Sequence, residues 1–178
     1  MNMKNEFDIF EARILIVDDQ RVNVQLLEQM LQEAGYSQVF STVNPTDVCG
    51  LHMGHQYDLI LLDLKMPGMD GFEVMEGLKA DLKDAYLPVI VLTAEPGHKL
   101  RALQAGAKDF ISKPFDLVEV KTRIYNMLEV RLLYKKLDRY RQLLEHAMKL
   151  SATELNDVEQ FMAVAEKAPR PAAGESIN

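Results

Sequence analysis

Five short apolar runs punctuate the first 115 residues: Arg13–Val17 (RILIV), Val39–Val43 (VFSTV), Leu59–Leu64 (LILLDL), Val89–Thr93 (VIVLT) and Lys108–Ser112 (KDFIS). The first, third and fourth are nearly continuous in Ile, Leu and Val, the pattern of parallel strands covered by helices on both faces. Segments of helical period lie between them. Val24, Leu27, Leu31 and Ala34 share one face of a helix that stops at Gly35. Asn44-Pro45 reads as a cap followed by proline at the first helical position. A third helix over Phe72–Leu82 puts Phe72, Met75, Leu78 and Leu82 on one side, and a fourth runs through Leu100 and Leu103 to a stop at Gly106. Strand and helix alternating through short connections predict an α/β domain with a parallel sheet.

From Asp116 the pattern turns helical and continues past the point where a compact domain would close. Val130, Leu133, Leu137, Tyr140, Leu144 and Ala147 are spaced 3, 4, 3, 4, 3, a heptad seam of about three repeats. Leu132, Leu143 and Met148 widen the stripe. Ser151-Ala-Thr-Glu154 has the form of a capping box, which predicts a break and a second short helix through Leu155, Val158, Met162 and Ala165. The last stretch, APRPAAGESIN, has the composition of a disordered tail. The expected divisions are 10–128 for the α/β domain, 129–167 for the helical extension and 168–178 for the tail.

Composition narrows the class. With 48% apolar and 26% charged residues the chain is an ordinary globular protein. No apolar run approaches the ~18–20 residues of a membrane span. The start, MNMKNEFDIFEARILIVDD, has no uninterrupted apolar stretch and carries early acids, which argues against a secretory signal. A single cysteine, Cys49, suits a reducing cytoplasm. The net charge of −7 speaks against nucleic acid as the main partner. That charge sits wholly in residues 1–128, with 12 basic and 19 acidic side chains, whereas residues 129–178 hold 8 of each. Within 131–149 six basic residues face two acidic ones, so contact with nucleic acid through the basic coil stays a minor alternative.

Three carboxylates carry the candidate chemistry: Asp18 and Asp19 directly after the first run, and Asp63 near the end of the third. Ligands of open parallel sheets bind outside the carboxyl ends of the strands. If the first and third strands are neighbours, the three acids meet at one edge and need a cation to stay ionised together. Oxygen ligands without Cys or His suit Mg²⁺, which commonly shares its shell with a phosphate. Thr93 closes the fourth strand and Lys113 follows the fifth. A metal, an ammonium and a hydroxyl are together suited to stabilising a transferring phosphoryl group.

In order and spacing, ILIVDD, LILLDLKMPGMDGFEVM, VIVLTAE and AGAKDFISKPF resemble the receiver domain of two-component response regulators, of the chemotaxis-receiver kind, over roughly residues 10–128. The resemblance implies a doubly wound, flavodoxin-like sheet of five parallel strands in the order 2-1-3-4-5, in a bacterial, cytoplasmic signalling protein. It implies that Asp63 accepts a phosphoryl group from a sensor histidine kinase or a histidine phosphotransfer protein. Asp18, Asp19, Asp63 and the backbone carbonyl of Lys65 would hold Mg²⁺, and Lys113, joined to Pro114 by a cis peptide, would pair with Asp63. Thr93 would swing toward the phosphoryl group while Phe110 turns inward; Phe110 lacks the hydroxyl of the tyrosine alternative. The result would be a switch of a protein-interaction surface rather than turnover of an outside substrate.

Lys65 and Glu95 lie two residues after Asp63 and Thr93. An ion pair between them across the mouth of the site would hinder the hydrolytic water and prolong the phosphorylated state; two separately solvated side chains are the alternative. A Mg²⁺-dependent aspartyl-phosphate hydrolase would want a second aspartate where Lys65 stands. His52 and His55 read as surface residues, Cys49 as a small, partly buried one, and His146 has no accompanying ATP-binding glycine motif. The fifty C-terminal residues are too few for a recognisable output domain. A coiled-coil extension, forming a homodimer through 130–150 or docking a downstream protein target, is preferred over a helix folded back on the receiver.

Overall fold

The structure, a computed structural model, describes residues 8–81, 86–95 and 97–166. The chain alternates strictly: β1 (Ile14–Val17), α1 (Arg21–Glu33), β2 (Val39–Thr42), α2 (Val48–His55), β3 (Leu59–Asp63), α3 (Gly71–Asp81), β4 (Val89–Thr93), α4 (His98–Ala105), β5 (Asp109–Ser112) and α5 (Leu117–Glu166). The five strands form one sheet in the order β2-β1-β3-β4-β5, and every pair is parallel. This is the doubly wound, flavodoxin-like arrangement expected from the sequence.

The apolar runs explain why the sheet is covered on both sides. Every residue of β1, β3 and β4 is buried, and period-two alternation sends successive side chains to opposite faces. Leu15, Val17, Ile60, Leu62, Val89 and Val91 meet Val48 of α2, Val74, Met75 and Leu78 of α3 and Ala102 of α4. On the other face, Ile14, Ile16, Leu59, Leu61, Ile90, Leu92 and Ile111 meet Val24, Leu27 and Leu31 of α1 and Val120, Ile124 and Leu128 of α5. The two edge strands, β2 and β5, are only partly buried.

Helix ends follow local chemistry. Gly35 (φ 97°) and Gly106 (φ 108°) take the left-handed conformation that ends α1 and α4. The Asn44 side chain accepts from the Thr46 N–H and starts a 3₁₀ turn at Pro45–Asp47 that runs into α2.

The small face of α4 formed by Ala102 and Ala105 packs against the core, and Leu100 and Leu103 fall on the outer side, 67% and 41% exposed. The structure departs from expectation in two places. His52 is buried rather than superficial, because it shares the inner face of α2 with Val48, one turn earlier. The break proposed at Ser151 does not occur, since α5 is helical from Leu117 to Glu166. No Gly or Pro lies in that span, so nothing ends the first helix before a cap could begin a second. Leu82 and the 168–178 tail lie outside the described residues.

Two compact units divide the chain, the first ending at Lys136 and the second starting at Leu137. In the first, Leu132 is buried, and Arg131 and Lys135 pair with buried Asp58. In the second, Leu137, Tyr140, Leu143, Leu144 and Met148 are exposed, and Arg141 pairs with Asp138 and Glu145.

Candidate functional site

The strand order brings the carboxyl ends of β1, β3 and β4 side by side, and the residues that follow or close them converge. Asp18 (0% exposed) and Asp63 (4% exposed) are buried. One carboxylate oxygen from each of Asp18, Asp19 and Asp63 lies within 4.8 Å of the others, the single such cluster among the described residues. Lys113, just beyond β5, reaches Asp18 Oδ2 at 2.7 Å and Asp63 Oδ2 at 3.0 Å, and its bond to Pro114 is cis. Asp18 also accepts from the Gln20 N–H at 2.9 Å and from Asn23 Nδ2 at 3.0 and 3.1 Å.

Three acids around one ammonium leave an unbalanced site. Burial pushes the Asp63 carboxyl above its ordinary value and the Asp18 charge adds to this, while Lys113 and the Lys65 N–H pull the other way. Asp19 Oδ1 is buried without a hydrogen-bond partner, an uncommon state for a carboxylate oxygen. An all-oxygen donor set with one unsatisfied lone pair fits a small hard cation such as Mg²⁺.

The loop after β3 is held from below. Asp70 Oδ1 accepts from the Phe72 and Glu73 N–H groups, and Glu73 Oε2 accepts from the Asp70 N–H, a reciprocal capping box that starts α3. A Cβ on Gly71 would lie 2.5 Å from the Asp63 carbonyl oxygen, so only glycine lets α3 start this close beneath the acidic residue. At the mouth, Lys65 and Glu95 form an ion pair, and His98 Nε2 approaches Glu95 Oε2 at 3.1 Å. The hydrogen bond from Lys65 holds the Glu95 carboxyl below its ordinary value.

Thr93 is buried; its hydroxyl accepts from the Glu95 N–H at 3.0 Å and donates to the Glu95 carbonyl at 3.3 Å. Phe110 is half-buried, with Lys99 Nζ 4.6 Å and Arg123 Cζ 5.4 Å from its ring centre. All eight residues singled out in the sequence therefore line this end of the sheet or the β4–β5 side next to it. His52, His55 and His146 take no part in the acidic cluster. Asn23, Gly71 and Arg123 were not singled out. A glycine directly before a helical run hinted at Gly71, but nothing local marked Asn23 as a partner of Asp18.

An acidic triad and a lysine at the carboxyl edge of a 2-1-3-4-5 sheet stand where doubly wound α/β domains place their sites. Residues 14–125 match the response regulator receiver domain family, and the chain belongs to it. It is 38% identical over 128 residues to the response regulator PleD of Caulobacter vibrioides, covering 71% of this chain and 28% of PleD. To RpaA of Synechocystis, a DNA-binding dual master transcriptional regulator, it is 37% identical over 155 residues, covering 85% of this chain and 61% of RpaA. The chain thus spans less than two thirds of either relative. Among solved structures, the receiver domain of sensor histidine kinase PA1611 from Pseudomonas aeruginosa, with magnesium coordinated in its active-site cleft, is 30% identical. The match covers 67% of this chain and 98% of that one, with a TM-score of 0.61. Chemotaxis response regulator CheY4 of Vibrio cholerae is 27% identical, with 66% and 98% covered and a TM-score of 0.59. No helix among the described residues is long and apolar enough to cross a membrane.

Proposed function

We propose that this protein is a phosphorylation-controlled regulator whose receiver takes a phosphoryl group on Asp63 from a histidine kinase or histidine phosphotransfer protein. The reading is carried by the convergence of buried Asp63, the acidic pair and Lys113 at one strand edge. An Asp63 carboxylate oxygen attacks phosphorus as the P–N bond to the donor imidazole breaks, giving an acyl phosphate. Asp18, Asp19, Asp63 and the Lys65 carbonyl would hold Mg²⁺, which when bound offsets the charge gathered at the reacting oxygens. Lys113 Nζ orients the Asp63 carboxylate and afterwards pairs with a phosphoryl oxygen. Asn23 and the Gln20 N–H fix Asp18, so this member of the acidic pair is already oriented before any ligand arrives. Thr93 exchanges its Glu95 contacts for the phosphoryl group, and Phe110 turns inward as it does so.

The Lys65–Glu95 pair screens the mouth of the site and prolongs the phosphorylated state. Output runs through protein contact: residues 10–128 act as the receiver, and the 129–167 extension presents the 130–150 seam to a second copy or to a downstream target in the cytoplasm. The exposed apolar positions from Val130 to Met148 support that part of the reading.

Incubation with Mg²⁺ and a small phosphodonor such as acetyl phosphate tests the first claim. Wild type should gain one acid-stable, base-labile label and Asp63→Ala none; persistent labelling of Asp63→Ala, or steady turnover of an outside phosphate ester, would refute it. Sedimentation of wild type and Asp63→Ala, with and without Mg²⁺ and beryllofluoride, tests the seam. A monomer in every state removes the homodimer.

A further inference from the structure

A switching aromatic needs something to hold it in the unswitched place. A tyrosine can use its hydroxyl; Phe110 has none, and its amide N–H is already engaged by the Asp109 carboxylate. What surrounds the ring instead is positive charge from two different helices. Lys99 of α4 brings Nζ to 4.6 Å from the ring centre, and Arg123 of α5 brings its guanidinium carbon to 5.4 Å, both inside the range of cation–π attraction. Arg123 is itself fixed: Nη1 donates to both Asp109 oxygens at 2.8 and 2.7 Å, and Nε donates to Glu119 at 2.8 Å. The guanidinium is therefore tied to the residue that precedes Phe110 and to the first turn of α5 at once. A planar, bidentate donor suits such a bridge, and a lysine would not reproduce it.

We propose that Lys99 and Arg123 are positioning residues for the switch, holding the Phe110 ring beside α4 and α5 until phosphorylation of Asp63 draws it away. The proposal rests on the reading of Asp63 as phospho-acceptor and Phe110 as switch. It adds a restraint that sets how often the unmodified protein visits the switched form. When the ring leaves, both cations lose their π partner, but Arg123 keeps Asp109 and Glu119. Among the described residues Lys99 makes no ion pair, so α4 is the element whose exposed charge is freed when the ring moves. Each half-exposed cation–π contact shifts a two-state balance about two- to fivefold, so neither residue alone locks the switch and the pair together biases it.

The test uses full-length protein carrying ¹³C-labelled phenylalanine, with the Phe110 ring signal assigned among the seven phenylalanines by its loss in Phe110→Leu. Mg²⁺ with beryllofluoride should move that signal in wild type. In Lys99→Ala and in Arg123→Ala the signal of the unmodified protein should already lie part of the way toward the beryllofluoride position. Arg123→Lys should lie closer to wild type than Arg123→Ala. Labelling by acetyl phosphate should be about two- to fivefold faster in either alanine variant. If beryllofluoride leaves the wild-type signal in place, the switch reading itself fails and this proposal with it. If wild type responds but both alanine variants keep the wild-type signal when unmodified, the switch stands and the restraint is refuted. Loss of stability alone would not move the ring signal along the beryllofluoride direction, so Arg123→Ala remains informative even with α5 weakened.

Discussion

Asp58 offers the sharpest test of how the long helix is tied to the receiver. It stands immediately before β3, is 3% exposed, and accepts from the Arg13 N–H at 3.1 Å, Lys135 Nζ at 2.9 Å and Arg131 Nε at 3.4 Å. The Arg131 guanidinium also donates to the Tyr86 carbonyl, and Tyr134 stacks on Tyr86 with ring centres 4.3 Å apart. Asp58→Ala removes one carboxylate and strands three donors. Lys135, at 37% exposure, can turn into water, so its share is small. Arg131, at 13%, stays in place with its charge uncompensated, and the Arg13 N–H loses its acceptor. Breaking a buried pair from one side costs about 3–5 kcal/mol; with Lys135 free to relax, the lower end applies, about 3 kcal/mol. At roughly 2–4 °C per kcal/mol for a chain of this size, the melting temperature should fall by about 6–12 °C. Denaturant unfolding of Asp58→Ala, Arg131→Met and the double variant is the assay. The double variant should cost clearly less than the two singles combined, because it leaves no stranded charge. A loss below about 1 kcal/mol in Asp58→Ala, or strict additivity, would refute the anchoring role.

Three further outcomes are expected. Lys65→Ala and Glu95→Ala should each lose the acyl phosphate severalfold faster than wild type in Mg²⁺ buffer; an unchanged decay rate in both would show that the pair does not shield the site. Gly71→Ala should cost about 2–3 kcal/mol by forcing a methyl group onto backbone atoms of Asp63 and Leu64, and should slow labelling of Asp63; a fully stable, normally labelled variant would contradict that packing. Burial, reinforced by Arg131 and opposed by Asp58, holds the His52 imidazole below its ordinary 6.5. The unfolded chain therefore takes up that proton first. The stability this histidine confers is complete above about pH 6.5 and declines as pH falls below it. His52→Phe should flatten the decline in melting temperature between pH 7 and 5, and an identical slope in both proteins would rule the histidine out.

Most of the fold was legible from residue pattern. Continuous Ile/Leu/Val runs mark strands buried on both faces, because only sandwiched parallel strands have no polar side to show. Gly35 and Gly106 mark helix ends because a left-handed residue is cheapest there. The acidic residues were legible for a related reason. Asp18, Asp19 and Asp63 adjoin the ends of apolar runs, and a parallel sheet aligns all such ends on one edge.

Long-range partnership was not legible, since it depends on which turn of a helix passes which strand end. Nothing near Asp58 announces Arg131, 73 residues later. Nothing near Phe110 distinguishes Arg123 from the other cations of α5. The burial of His52 is not legible either, because a polar residue on a short helix reads as exposed until the packing of α2 turns its Val48 face inward. Ser151-x-x-Glu154 starts no new helix, because a cap acts only where the preceding helix has ended and α5 runs through it. Sequence by itself determined the strands, the helix stops, the acidic edge and the family, all set by neighbours in the chain or by a repeating period. Tertiary structure alone decided which carboxylate holds the long helix, which cations face the Phe110 ring and why Gly71 has room for nothing larger. Those contacts join atoms that only the folded sheet brings within a few ångströms.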